Sequence, residues 1–135
     1  MLAPALDIVR LSLHVTAAAV WVGGQIVMAG LVPTMRQGVA PEVVRAVARR
    51  FSDMAWPAFV VLVITGFWNV AAVHPSQQTT AWQTVFAIKM VVVVLAGVSA
   101  ALHQMAKSRT GLAVWGSLSG TAALVALVLG VALAG

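Results

Sequence analysis

The class of fold is decided by one stretch of the sequence, WQTVFAIKMVVVVLAGVSAALHQM at residues 82–105. Lys89 is the one Lys, Arg, Asp or Glu within it. A helix needs about 20 mostly apolar residues to cross the hydrocarbon core of a bilayer. The stretch therefore predicts a membrane-spanning α-helix.

Three further apolar stretches have a similar length. Together the four predicted spans cover residues 5–32, ending before Pro33, and residues 54–73, 82–105 and 112–134. Only 8% of the 135 residues are charged, whereas a soluble domain has about a quarter. Because the connections are short, neighbouring helices should be antiparallel. We expect one domain over residues 1–135, an all-α integral membrane four-helix bundle with up-down-up-down topology.

The basic residues in the connections predict the orientation. The first and third connections hold most of them, namely Arg36, Arg45, Arg49, Arg50, Lys107 and Arg109, and the second holds none. Cytoplasmic loops carry the excess of Lys and Arg, so both termini should be non-cytoplasmic, in the cell membrane. Arg10 is the exception; it can snorkel, or it can pair with Asp7 three residues earlier. Since these charges follow topology, we predict the lipid bilayer as partner and no nucleic acid.

Residues 41–51 have their own pattern. Pro41 suits the first position of a helix, and the apolar and basic residues after it fall on different faces. We predict a short cytoplasmic extension of the second helix that lies in the headgroup layer.

Polar side chains within the spans are the candidates for chemistry, because a polar group in hydrocarbon is costly and usually functional. At about 1.5 Å per residue, His14, Lys89 and Thr65 each lie about 11 to 13 Å from the outer end of their helix. We therefore predict a functional layer in the outer leaflet that contains these residues. The alternative is structural: His14 bonds to a neighbouring helix, and Lys89 snorkels outward.

Two further residues of the first helix are candidates for cofactor binding. Trp21 lies deep in the span, unlike the other tryptophans, which are typical interfacial anchors. Gly24, next to Gly23, would let a helix or a flat ligand approach the backbone.

The chain has no Cys and therefore no thiolate ligands. The candidate secondary metal ligands are three residues, His74, His103 and Met105. His103 and Met105 could bind soft copper, but residues two apart on a helix face different directions. His74 lies at the outer rim, where it could add a ligand above the His14 layer.

Several motifs resemble the copper resistance protein D (CopD) membrane domain family. They are His14 followed after six residues by Trp21 and then Gly23-Gly24, together with Pro33-Thr34-Met35-Arg36, Arg50-Phe51-Ser52, Ile64-Thr65-Gly66 and Phe86-Ala87-Ile88-Lys89-Met90. This resemblance implies copper passage or tolerance. The His-x6-Trp opening and the third-helix lysine are also similar to HemJ-type protoporphyrinogen oxidase. That similarity implies a b-type haem, with His14 as axial ligand and Lys89 as an essential partner.

Several functions stay open. The first is a protein that binds b-type haem, or copper, for haem or copper handling or electron transfer. A charged Lys89 suits haem propionates better than a copper cation, which favours haem. The others are an accessory subunit of a larger membrane complex such as a respiratory complex, a CopD-type copper permease, and HemJ-like porphyrinogen oxidation. Whether the chain is an enzyme, and whether it forms an oligomer, is not decided by the sequence.

Overall fold

The computed structural model describes residues 2–135 as four long helices joined by short connections. They are α1 (Ala5–Gly38), α2 (Pro41–Val73), α3 (Thr80–Met105) and α4 (Arg109–Ala134). All four are long and apolar enough to cross a membrane, and residues 2–135 contain no β-strand. The prediction of an all-α membrane fold with four spans is confirmed.

The chain divides into two helix pairs after Val73. In the first pair α1 packs against α2, and in the second α3 packs against α4. Connections of two and three residues separate the helices within each pair, so the partners are antiparallel. The second pair buries small residues, including Ala96, Ser99 and Ala123, which let two helices approach closely.

Helix α1 is longer than the sequence predicts, because it continues through Pro33 to Gly38. A proline removes one backbone hydrogen bond and usually ends or kinks a helix. In a membrane, however, ending the helix would leave several more backbone groups without partners, so a proline within a span is tolerated. The helix ends at Gly38, because the next residue, Val39, has an extended backbone; its N–H still donates to the Met35 carbonyl at 2.8 Å.

Residues 41–51 are helical and continuous with the second span, which confirms the predicted extension of the second helix. Their place in the headgroup layer stays a prediction. Pro41 occupies the first helical position. At 1.5 Å per residue, α1 and α2 are each about 50 Å long, compared with about 30 Å of hydrocarbon. The charged residues between Arg36 and Asp53 indicate that the excess length lies at the loop that joins the two helices.

Capping residues define where the two helices of the second pair begin. Thr79 accepts a hydrogen bond from Trp82 N at 3.2 Å, and Ser108 accepts one from Gly111 N at 3.0 Å. Hydroxyl side chains at these positions satisfy otherwise unpaired helix N–H groups. Helix α4 therefore begins at Arg109, three residues before the predicted start.

Candidate functional site in the first helix pair

The polar residues of the first pair form one continuous seam between α1 and α2. Arg10 and His14 are four residues apart on α1, and Thr65 and Asn69 are four apart on α2. Residues with this spacing share one helix face. Because the helices are antiparallel, Arg10 meets Asn69 and His14 meets Thr65. We call these four residues, with Asp7, the polar seam.

His14 is held by Thr65. The His14 Nδ1 and Thr65 Oγ1 atoms are 2.8 Å apart, and Thr65 Oγ1 is also 2.7 Å from the Val61 carbonyl oxygen. The threonine hydroxyl has a single proton, and the carbonyl can only accept. Thr65 therefore donates to Val61, and His14 Nδ1–H donates to Thr65. This tautomer leaves the lone pair of the imidazole on Nε2.

The position of the pair agrees with the depths predicted from the sequence. His14 lies nine residues from Ala5 and Thr65 eight from Val73, which correspond to about 13 and 12 Å of helix. Gly66 adjoins the imidazole, where an added Cβ would lie 3.8 Å from His14 Cε1. The contact between the two side chains is present; their role in cofactor binding stays a prediction.

Arg10 is buried, with 8% of its surface exposed. Its guanidinium donates to Asp7 Oδ1 at 2.8 Å and to Asn69 Oδ1 at 2.7 Å, and its Nε has no partner among residues 2–135. Of the two predicted alternatives, the ion pair with Asp7 is therefore the one observed. The sequence reasoning missed Asn69, although its spacing from Thr65 matches that between Arg10 and His14.

Trp21 contributes to an aromatic cluster between the helices. Its ring centroid lies 4.6 Å from that of Phe59 and 5.5 Å from that of Trp56, and the residue is 4% exposed. Trp56 is thus in contact with Trp21, and its predicted place at the membrane interface stays a prediction. These contacts give Trp21 a role in packing α1 against α2. The backbone of α1 is locally π-helical from Ala19 to Gly23, a local irregularity that is frequent at functional sites.

Gly24 provides space for a side chain of α2. A Cβ at this position would clash with Phe51 Cε2. Of the two predicted alternatives, the approach of a helix or of a flat ligand, the structure shows the approach of a helix. Gly24 therefore serves the packing of the two helices.

Lys89 belongs to the second helix pair. It is half-buried, and its Nζ lies 3.0 Å from the position that a Cβ on Gly130 would occupy. Gly130 thus leaves room for the ammonium group, and no residue between 2 and 135 forms a hydrogen bond or ion pair with it. Its joint action with His14 stays a prediction.

The three predicted secondary ligands have separate surroundings. His103 Nδ1 donates to the Leu112 carbonyl at 2.8 Å, which joins the end of α3 to the start of α4. Met105 is 73% exposed at the last residue of α3. His74 is exposed and has a φ of 54°, a left-handed conformation that follows the end of α2.

Within residues 2–135, no three His, Cys, Asp or Glu side chains are grouped so that they could hold a metal ion. A copper site of several such ligands within this part of the chain therefore has no support from the geometry. A cofactor that needs only one histidine from the protein is compatible with this geometry.

Comparisons with known proteins found no matching family model, curated protein or solved structure. The resemblance to the CopD and HemJ families accordingly stays a prediction. The fold and its four apolar helices define the class: the chain is a multi-pass integral membrane protein.

Proposed function

We propose that this membrane protein binds a b-type haem through His14 and serves haem handling or electron transfer. The observation that carries the proposal is the hydrogen bond from His14 Nδ1 to Thr65. Histidines that bind metals generally donate their other ring N–H to a neighbouring acceptor, which fixes the ring and the tautomer. In this tautomer, Nε2 would be the nitrogen that binds iron.

The ligand chemistry favours haem over copper. Haem iron is already held by four porphyrin nitrogens and can take one histidine from the protein. A protein copper site typically needs several nitrogen or sulfur ligands, and residues 2–135 contain no group of three His, Cys, Asp or Glu side chains placed to hold a metal ion. When bound, haem would supply one-electron redox chemistry. The protein would hold and orient the group through His14 and Thr65.

Lys89 supports the presence of an anionic ligand. An ammonium group at the centre of a span costs about 2.5 to 3.5 kcal/mol on insertion scales. With no carboxylate beside it in the described chain, this cation is suited to an anionic ligand such as a carboxylate. In the proposed orientation, both termini face outward from the cell membrane, and His14 and Lys89 each lie in the outer half of their spans.

Absorption spectroscopy tests the proposal. Purified protein titrated with haemin should develop a Soret band at stoichiometric haem, and His14→Ala should abolish it. Thr65→Val should weaken haem binding by about 10-fold, the lower end of the effect known for such supporting residues. His103→Ala is the matched control and should retain the band.

Equal loss of haem in His14→Ala and His103→Ala would place the ligand elsewhere, and no band in the wild type would refute haem binding. That last result would favour a second candidate, an accessory subunit of a membrane complex. The hydrogen bonds from Arg10 to Asn69 and between His14 and Thr65 are consistent with it, since polar groups commonly join membrane helices.

A further inference from the structure

A groove follows the interface of α1 and α2 towards the loop that joins them. Its volume is about 350 Å³, and its apolar lining includes Val27 and Met28 of α1 and Val47 and Met54 of α2. Arg50 is the one charged residue in the lining. We call this feature the apolar groove.

A second cavity lies at the loop itself. It has a volume of about 220 Å³ and is lined by Arg36 from the end of α1, by Arg45 from the start of α2, and by three apolar residues, Val39, Pro41 and Val44. Two guanidinium side chains from different helices thus contribute to one cavity. We call it the arginine cavity.

The two features follow the same face of α2. Val44, Val47 and Phe51 are three and four residues apart, the spacing of residues on one helix face. From Val44 in the arginine cavity to Met54 in the apolar groove, the helix rises about 15 Å. The arginine cavity therefore lies nearer the loop, and the apolar groove lies farther along the first helix pair, towards its membrane-spanning part.

The charge of this region is positive. Residues 36–53 contain the four arginines Arg36, Arg45, Arg49 and Arg50 and only two acidic residues, Glu42 and Asp53. Arg45 forms an ion pair with Glu42 at 3.1 Å, but both side chains are exposed, and exposed pairs of this kind are weak. The pair therefore does not prevent Arg45 from binding another anion.

We propose that the first helix pair binds an anionic phospholipid from the leaflet on the side of the α1–α2 loop. The phosphate lies in the arginine cavity, between Arg36 and Arg45, and one acyl chain lies in the apolar groove beside Val27. Clustered basic residues at a membrane surface attract anionic headgroups, and the groove supplies the apolar surface that a soluble anion would not need. The site is separate from the polar seam and does not depend on haem binding.

Native mass spectrometry of the detergent-purified protein tests the site with two probes, dioleoylphosphatidylglycerol and dioleoylphosphatidylcholine. The wild type should retain the anionic lipid preferentially. The double variant Arg36→Gln/Arg45→Gln should lower this retention roughly 30-fold, since each basic residue near a membrane surface contributes about 1 kcal/mol. Val27→Phe should lower it as well, because the larger side chain fills the groove.

Matched controls come from the second helix pair. Lys107→Gln/Arg109→Gln removes the same amount of charge from the third connection, and Val114→Phe enlarges a valine that is 52% exposed, compared with 56% for Val27. Both controls should retain lipid as the wild type does. Circular dichroism should show the same helical content in all variants, because every substituted residue is exposed.

Three results would overturn the proposal. Equal retention of the two lipids would show that the charge of the headgroup is not recognised. Equal losses in the controls and the site variants would show general electrostatic attraction. In the third result, inorganic phosphate alone displaces the lipid while the Val27→Phe variant retains as much lipid as the wild type. That result would show a phosphate site without an acyl-chain groove.

Discussion

Arg10 and Lys89 are both cations within membrane-spanning helices, but the structure stabilises only one of them internally. Arg10 is paired with Asp7 and Asn69, so its charge contributes to holding α1 against α2. Lys89 lies beside Gly130 and has no such partner among the described residues. A bound external anion would therefore stabilise the folded protein more at Lys89 than at Arg10.

Replacing Lys89 tests this difference. Lys89→Met keeps the length of the side chain and removes its charge, so the ligand-free protein should be as stable as the wild type or more stable, because an uncompensated charge is lost. The measurement is thermal unfolding in detergent, with Lys107→Met in the third connection as control.

A marked fall in the melting temperature of Lys89→Met, without a similar fall in the control, would contradict this expectation. It would mean that the ammonium group has a structural partner, and the proposed role of Lys89 in binding an anionic ligand would then be wrong.

At the scale of the elements, the close approach of α1 to α2 depends on Gly24. The ring of Phe51 lies where the side chain of any other residue would begin. The aromatic cluster of Trp21, Trp56 and Phe59 extends this interface. The glycine is thus required by the neighbouring helix and not by the conformation of its own backbone, which is helical.

Substitution of Gly24 should destabilise the first helix pair. With Gly24→Ala, the new Cβ would clash with Phe51 Cε2, and overpacking of this kind costs about 1 to 3 kcal/mol. Thermal unfolding should therefore show a lower melting temperature, and adding Phe51→Leu should restore part of the loss.

Gly30→Ala is the matched control, because no heavy atom lies within 4 Å of a Cβ at that position. It should be neutral or slightly stabilising, since alanine favours a helix more than glycine does. Equal destabilisation in both variants would show that the loss comes from the backbone and not from contact with Phe51.

At the scale of the whole molecule, the arrangement of charge sets the expected topology. The long helices α1 and α2 carry four of their five arginines near the end where they meet, Arg10 being the exception, and the loop between α2 and α3 has no Lys or Arg. Reporter fusions at either terminus should therefore be non-cytoplasmic, and a reporter inserted between Val39 and Pro41 should be cytoplasmic. A cytoplasmic reporter at the C-terminus would reverse the leaflets assigned to His14 and Lys89.

The sequence by itself determined the number of spans and the matching distances of His14 and Thr65 from the ends of their helices. Transfer of a helix into lipid depends on the summed polarity of its own residues, and depth depends on the constant rise per residue. Both quantities can be read along one helix without knowledge of its neighbours.

The tertiary structure alone decided which faces of the helices meet. It brought Asn69 to Arg10, placed the Trp21 ring against α2, and gave the space at Gly24 to Phe51. It also showed that α1 continues beyond Pro33. These features depend on the rotation and register of one helix against another, and in lipid that choice is made by close packing and interhelical hydrogen bonds and not by hydrophobicity.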